Sequence, residues 1–298
     1  MKWRIPAKTF LVGEYAAVAG ASALILTTTP YFELALTSAP GLAGIHNASP
    51  AGCFWQDQNL EQGLVWSDPY QGIGGMGASS AQFLGAYLAA CSIKSTAPIL
   101  DDLLTSYYHY AWSGLGLRPS AYDLIAQAQG ACVFINKQQE LITTYSWPFT
   151  DLSFLLIHSG TKLATHDHLK ETNLPNKINE LSEISESALQ AIEAVNSALL
   201  IDAVNNYHQK LLELAKVAPH SVQLIEQLKS SPHVLAIKGC GAMGADVLLV
   251  LCKKQNKLAL IKELGTINLR LLATEEQLSP LWNQGQTLEK SKNIPQKT

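Results

Sequence analysis

The stretch from Gly72 to Ser80 reads GIGGMGASS, and its four glycines leave the backbone almost bare. The residues that follow, AQFLGAYLAAC, place apolar side chains at helical spacing. A glycine-rich loop that leads into a helix offers free N–H groups, the positive end of the helix dipole and close access to the backbone, all of which suit phosphate. Ser79 and Ser80 either cap this helix or offer hydroxyls to a phosphate-bound Mg²⁺.

Other interpretations of this loop compete with phosphate binding, and the simplest is a tight turn before a capped helix. Gly72, Gly74 and Gly77 also match the dinucleotide pattern G-x-G-x-x-G. That pattern should follow a buried strand, whereas SDPYQ precedes it here. The P-loop pattern fails as well, because Ala78 stands where its lysine must be. The loop therefore predicts a phosphate site of neither common type, whose positive charge comes from elsewhere in the chain.

The composition is that of a compact globular protein. Of 298 residues, 47% are hydrophobic and 15% are charged, which is the opposite of the balance typical of disorder. The net charge of −3 predicts no general attraction to nucleic acid or to an anionic membrane. Five cysteines without C-x-x-C spacing indicate reduced thiols, and neither a signal peptide nor a membrane-spanning run is found. We therefore expect a cytoplasmic protein, with a homodimer left open.

The pattern along the chain predicts an α+β protein. Strand-like runs fill residues 2–36, and further strands are expected at 131–135, 153–157, 233–238 and 246–252. Helical spacing occurs at 79–92, 99–112, 177–199, 201–216 and 219–230. This order indicates two lobes joined near 140–152: residues 1–150 form the first, 151–285 the second, and 286–298 a polar tail.

Three further segments carry side chains that suit phosphate chemistry. PAKTFLVGEY (6–15) contains Lys8, and no lysine or arginine follows before Lys94. RPSAYD (118–123) places Asp123 at the start of a predicted helix, where a carboxylate can equally serve only the helix dipole. KGCGAMGAD (238–246) is a second glycine loop, which by itself is a turn between strands. Taken alone, each segment has a purely structural explanation.

Taken in order, these segments resemble the motifs of the GHMP kinases, the family of galactokinase, homoserine kinase, mevalonate kinase and phosphomevalonate kinase. PAKTFLVGEYAAVAG is similar to the first motif, GGMGASSA (74–81) to the phosphate loop, PSAYD (119–123) to the segment with the catalytic aspartate, and KGCGAMGAD to the third motif. The resemblance implies a two-lobed fold with a ribosomal-protein-S5-like N-terminal lobe and a ferredoxin-like C-terminal lobe. It also implies ATP and Mg²⁺ as cofactors and a small-molecule phosphate acceptor.

The resemblance also assigns roles to individual residues. Asp123 would accept the proton of the attacking oxygen, and Lys8 would hold Asp123 ionised. The implied ATP-phosphate loop comprises Gly74, Gly75, Gly77, Ala78, Ser79 and Ser80, and the two serines are also the implied Mg²⁺ ligands. The implied acceptor-binding residues are Glu14, Tyr15, Lys162, Thr165, Lys238, Gly241 and Ala242.

Two residues favour the phosphomevalonate kinase branch of the family over mevalonate kinase. Tyr15 follows the Gly-Glu of the first motif, and Asp246 closes the third motif. A phosphorylated acceptor needs additional cations, and the candidates are Lys162, Lys238, Arg118 and Arg4, the first two inside matched motifs. Mevalonate kinase, a sugar kinase of the same family and a nucleotide-binding relative without activity are the alternatives.

The chain departs from the family pattern at several motif positions. Ala7 and Ala121 replace glycines, Cys240 replaces a serine or threonine, and Met243 replaces a glycine of the third motif. Trp112 stands where the mevalonate kinases have a glutamate that helps to hold Mg²⁺. These departures leave the two loop serines and water as the expected metal ligands.

Overall fold

The computed structural model of the protein describes residues 1–160 and 177–281. It contains two largely antiparallel sheets with helices packed against them, so the predicted α+β class is confirmed. Within the described residues, no helix is both long enough and apolar enough to cross a membrane.

The first sheet is built from the N-terminal half of the chain. Its strands are β1 (Lys2–Val12), β2 (Ala23–Thr37), β3 (Leu42–Ala43), β4 (Gly63–Ser67), β5 (Cys132–Asn136) and β6 (Leu141–Tyr145). The order is β3-β4-β2-β5-β6, with β1 paired to β2. β2 is long enough to pair with β1, β4 and β5, and its pairing with β1 sets Lys8 opposite Thr27. Residues 5–12 of β1 are all buried, as expected for a strand covered on both faces.

The second sheet is built from the C-terminal half. Its strands are β7 (Leu152–His158), β8 (Ala236–Cys240), β9 (Val247–Lys253) and β10 (Leu271–Thr274), in the order β10-β7-β9-β8. β8 and β9 pair antiparallel, so the second glycine loop of the sequence lies at the turn between them. The central strands β7 and β9 are buried almost throughout.

Helices cover both sheets. Those of the first half are α1 (Pro50–Asp57), α2 (Ala78–Ile93), α3 (Leu100–Ala111) and α4 (Tyr122–Gln129), and those of the second are α5 (Ile178–Glu193), α6 (Ser197–Glu213), α7 (Pro219–Lys229) and α8 (Lys257–Thr266). Short 3-10 turns occur at Ala16–Ala19, Ala242–Gly244, Lys254–Asn256 and Glu275–Gln277. α2 is buried on nearly every side, and the missing side chain of Gly85 lets it approach Ile5 and Leu34 closely.

One helix boundary differs from the prediction. The helical spacing over 177–199 is interrupted, because α5 ends at Glu193 and Val195 has a left-handed backbone with φ 52°. The side chain of Asn196 then accepts the N–H of Leu199 and caps α6. The helix predicted over 177–199 therefore spans the end of α5 and the start of α6.

The hydrophobic core extends from one sheet to the other. The main cluster includes residues of β1, β2, α2 and α4 together with residues of α5, α6, β7 and β9. After β10 the chain returns to the first sheet, where the Ser279 N–H donates to the Thr27 carbonyl at 2.8 Å and the two hydroxyls lie 2.6 Å apart. The division into lobes at 1–150 and 151–285 stays a prediction, and the tail at 286–298 lies outside the described residues.

Candidate active site

A lysine and an aspartate meet where β1 passes the start of α4. Lys8 Nζ lies 2.8 Å from Asp123 Oδ2, with the lysine side chain 7% exposed and the aspartate side chain 37% exposed. The aromatic ring of Phe10 lies on the same side, 5.2 Å from the ammonium. The cation is therefore held inside the protein, while the carboxylate remains open to a small molecule.

The glycine loop lies directly against this pair. The Lys8 N–H donates to the Met76 carbonyl at 3.0 Å. Gly77 has φ +81°, and a Cβ there would lie 2.7 Å from Lys8 Cγ. Gln127 fixes the arrangement, since its Nε2 donates to the carbonyls of Pro6 and Gly77 at 2.9 and 3.0 Å. A residue larger than glycine would push the loop away from the lysine.

The loop leads straight into α2, whose first backbone amides suit phosphate. The first helical hydrogen bond runs from Ala81 N–H to the Gly77 carbonyl at 3.0 Å, so the helix itself leaves the N–H groups of residues 78–80 unused. Of the two roles left open for the serines, capping is not observed, because Gly77 is the N-cap residue. Ser80 is buried and its hydroxyl donates to the Gly77 carbonyl at 3.0 Å, whereas Ser79 is exposed.

The second glycine loop touches the first. A Cβ on Gly74 would lie 2.5 Å from Asp246 Oδ2, and one on Gly75 would lie 2.8 Å from Val247 Cγ2. Asp246 is buried, and no atom of the described residues lies within 4 Å of a Cβ placed on Gly241. Segments 172 residues apart in the sequence thus share one cleft, with the Lys8–Asp123 pair beside it.

Three residues at the site have a left-handed backbone although they are not glycine. They are Tyr15 (φ 64°), Ala121 (φ 62°) and Met243 (φ 55°). At positions 121 and 243 the GHMP motifs have glycine, the residue that adopts this conformation without strain. Such a conformation costs a residue with a Cβ about 1–2 kcal/mol, which the surrounding contacts must offset.

Tyr15 connects the first motif to the second glycine loop. Its hydroxyl accepts the Met243 N–H at 3.1 Å. Burial raises the pKa of this phenol, the Met243 hydrogen bond lowers it, and the charge of Glu14 raises it further. Tyr15 is therefore a neutral group at the cleft, in the region predicted for acceptor binding.

Glu14 and Lys238 are paired with each other in the interior. Lys238 Nζ lies 2.5 Å from Glu14 Oε1, and the side chains are 0% and 4% exposed. Burial disfavours the ammonium, but the Cys240 sulfur and the Glu14 carboxylate outweigh it and raise the pKa of Lys238. The Tyr207 hydroxyl donates to the Glu14 carbonyl at 2.6 Å. Both residues were predicted to bind the acceptor, yet their charged groups are turned toward each other across β1 and β8.

Four further residues were predicted to bind the acceptor. Lys162 and Thr165 lie outside the described residues, whereas Gly241 and Ala242 lie in the turn between β8 and β9.

Sequence reasoning missed Gln127, which the spacing of four residues from Asp123 on α4 could have indicated. It also missed Lys216, whose ammonium lies 5.6 Å from the centre of the Tyr15 ring. No motif includes this lysine.

The residues present suit the phosphates of a nucleotide better than an independent metal site. Over residues 1–160 and 177–281, no group of three His, Cys, Asp or Glu side chains could hold a metal ion. Trp112 ends α3, and its indole N–H donates to the Leu115 carbonyl at 3.1 Å. Mg²⁺ carried by nucleotide phosphates needs only one or two protein ligands, and exposed Ser79 is compatible with that role.

Comparison with known proteins identifies the fold. Neither a protein-family model nor a curated protein sequence matches the chain. Among solved structures, phosphomevalonate kinase of Streptococcus pneumoniae in complex with phosphomevalonate and AMPPNP is similar, with a TM-score of 0.75, 16% identity, and coverage of 92% of this chain and 99% of that one. Mevalonate kinase of Methanococcus jannaschii gives 0.72 and 16%, covering 92% and 97%.

A sugar kinase has the same fold. Galactokinase of Lactococcus lactis, complexed with galactose, gives a TM-score of 0.71 and 11% identity, covering 91% of this chain and 92% of that one. The chain therefore has the GHMP kinase fold, as its motifs indicated, and neighbours with different acceptors resemble it to a similar degree.

Proposed function

We propose that this protein is an ATP-dependent kinase that transfers the γ-phosphoryl group to a small acceptor of the mevalonate pathway, with phosphomevalonate favoured. The observation that carries the proposal is the Lys8–Asp123 pair, 2.8 Å apart and set against the bare backbone of Gly77. An acid and an amine beside a phosphate loop are the groups that phosphoryl transfer to a small acceptor uses.

The glycine loop and α2 would bind the β- and γ-phosphates. The N–H groups of residues 78–80 and the positive end of the α2 dipole attract anions without needing a nearby lysine. Mg²⁺ bound with the nucleotide would neutralise part of the phosphate charge. The Ser79 and Ser80 hydroxyls are the proposed protein ligands of this ion.

Lys8 and Asp123 would have different roles at the phosphoryl group that is transferred. An unperturbed aspartate has a pKa of about 3.9, so against an alcohol it accepts the proton late, once the bond to phosphorus is forming. Lys8 stabilises the charge of the carboxylate and of the oxygens that approach it. A phosphate monoester acceptor needs little deprotonation, and Asp123 would then contribute less to the rate.

The choice of acceptor rests on fewer observations. Tyr15 and Asp246 follow the phosphomevalonate kinase pattern, and both lie at the cleft. One similar structure contains phosphomevalonate. Mevalonate and a monosaccharide are the alternative acceptors, since kinases for both share the fold.

Turnover over an acceptor panel tests the proposal. The full chain with ATP and Mg²⁺ is assayed for ADP release with mevalonate, phosphomevalonate and galactose, and the highest kcat/KM is expected for phosphomevalonate. Asp123→Asn should lower kcat, and more on mevalonate than on phosphomevalonate. Asp102→Asn, at an exposed acid of α3, is the matched control. A preference for galactose would contradict the acceptor, and ATP binding without turnover on any acceptor would favour the inactive relative.

A further inference from the structure

One cation near the second glycine loop belongs to none of the sequence motifs. Lys216 lies in the turn between α6 and α7, and its ammonium is 5.6 Å from the centre of the Tyr15 ring. The residue is half-buried. Among the described residues no carboxylate forms an ion pair with it, whereas its neighbour Lys210 pairs with both Glu180 and Glu213.

Hydrogen bonds hold this lysine in a fixed relation to the loop. The Ala218 N–H, two residues further on, donates to the Met243 carbonyl at 2.8 Å. The Met243 N–H in turn donates to the Tyr15 hydroxyl at 3.1 Å. These hydrogen bonds therefore connect the turn that contains Lys216 to the tip of the loop and to Tyr15.

Of the candidate cations named from the sequence, Lys162 lies outside the described residues, and the others contact other groups. Lys238 is fully buried and paired with Glu14. Arg4 pairs with Glu33 at 3.2 Å, and Arg118 stacks on the Tyr108 ring at 3.5 Å. Lys8 is committed to Asp123. Lys216 has no ion-pair partner among the described residues, and its turn is hydrogen-bonded to the second glycine loop through Ala218.

The surroundings of Lys216 suit an anionic ligand. Gly241 leaves open space on the loop. A half-buried ammonium without a counter-ion has lost part of its hydration, and a bound anion would compensate that loss. Lysine acts toward phosphate as a compact point charge with three donors.

We propose that Lys216 binds the phosphate group of the acceptor and thereby selects a phosphorylated acceptor over its unphosphorylated counterpart. This inference rests on the proposed function, because it assumes that the acceptor phosphate, which carries the attacking oxygen, lies between Asp123 and the second glycine loop. It assigns to Lys216 a role for which the motifs had offered Lys162 and Lys238. The ring of Tyr15 contacts the Lys216 ammonium, and its hydroxyl accepts the Met243 N–H.

Steady-state kinetics of three variants test the assignment. Lys216→Met should raise KM for phosphomevalonate about tenfold to a hundredfold, as expected for a lost charge-assisted hydrogen bond, and change KM for mevalonate and for ATP less than threefold. Lys216→Arg should restore most of the affinity. Lys229→Met, at a lysine of α7 that pairs with Glu226 on the surface, is the matched control and should behave like the unchanged protein.

The outcomes separate this inference from the proposed function. Activity on phosphomevalonate with equal KM in Lys216→Met and Lys229→Met overturns the assignment and leaves the kinase intact. Equal losses on both acceptors overturn it as well, because a structural role would produce them. If no acceptor is turned over, calorimetric titration of phosphomevalonate in the presence of AMPPNP decides: binding that Lys216→Met abolishes supports the site, and absence of binding overturns both proposals.

Discussion

Two lysine–carboxylate pairs contact β1, and they differ in burial. Lys8–Asp123 leaves the carboxylate 37% exposed beside the phosphate loop. Lys238–Glu14 leaves 0% and 4% of its side chains exposed and joins the end of β1 to β8. The same charges therefore serve different purposes: the open pair can exchange a proton with a ligand, whereas the closed pair joins the two sheets.

Breaking the closed pair should have the largest effect. Lys238→Met leaves the Glu14 carboxylate buried and unpaired, and its Oε2 already has no hydrogen-bond partner in the described part of the chain. We expect a loss of about 3–5 kcal/mol in the free energy of unfolding, measured by urea denaturation. The double variant Glu14→Gln, Lys238→Met should recover much of it. A loss below 1 kcal/mol for the single variant would show that the pair is not a structural clamp.

Breaking the open pair should affect catalysis instead. Lys8→Met removes the cation beside Asp123, and we expect kcat to fall about 10²–10³-fold because stabilisation of the transferring group is lost. The free energy of unfolding should change by about 1 kcal/mol, since one partner is partly solvated. Kinetics and urea denaturation of the same preparation check both. Comparable damage to folding would remove the distinction between the pairs.

The free energy of unfolding should depend on pH through His208, whose pKa is influenced by Lys238 of the closed pair. Burial, with the charges of Lys229 and Lys238, lowers the pKa of His208 to about 4. Because the unfolded state binds the proton first, stability should decline as pH falls from about 6.5 to about 4, on the order of 1–2 kcal/mol by pH 5. His208→Leu should flatten this part of the profile. Neither ring nitrogen of His208 has a hydrogen-bond partner among the described residues, so the variant should be no less stable at pH 7.5.

A substitution at Ala121, the residue before α4, should have the smallest effect, and this effect is on stability. Ala121 has φ 62°, and Ala121→Gly should stabilise the protein by up to about 1 kcal/mol by relieving the left-handed conformation. Ala126→Gly, inside the same helix, should destabilise it by about that amount or more. Thermal unfolding compares the two, and effects of the same sign would contradict the argument.

The sequence predicted the Lys8–Asp123 pair and the loops better than the acceptor site. The resemblance of the motifs to those of the GHMP kinases implied that Lys8, Asp123 and the glycine loop lie together, and the structure places Lys8 against both Asp123 and Gly77. The partner of Glu14 was not predictable, since nothing local shows that a side chain on β8 reaches it. Lys216 gave no signal at all, because its position depends on how a turn of the second half folds over Tyr15.

Residues 278–281 have a practical consequence for anyone dividing this protein. They contact Thr27 and Gly130 after the second sheet is complete, and so join the last described part of the chain to the first sheet. A fragment ending near residue 150 would lose these contacts and the packing of α5 and α6 against the shared core, and would expose apolar surface. Expression of either half as a separate piece should therefore yield aggregates, and the intact polypeptide is the smallest unit suited to experiments.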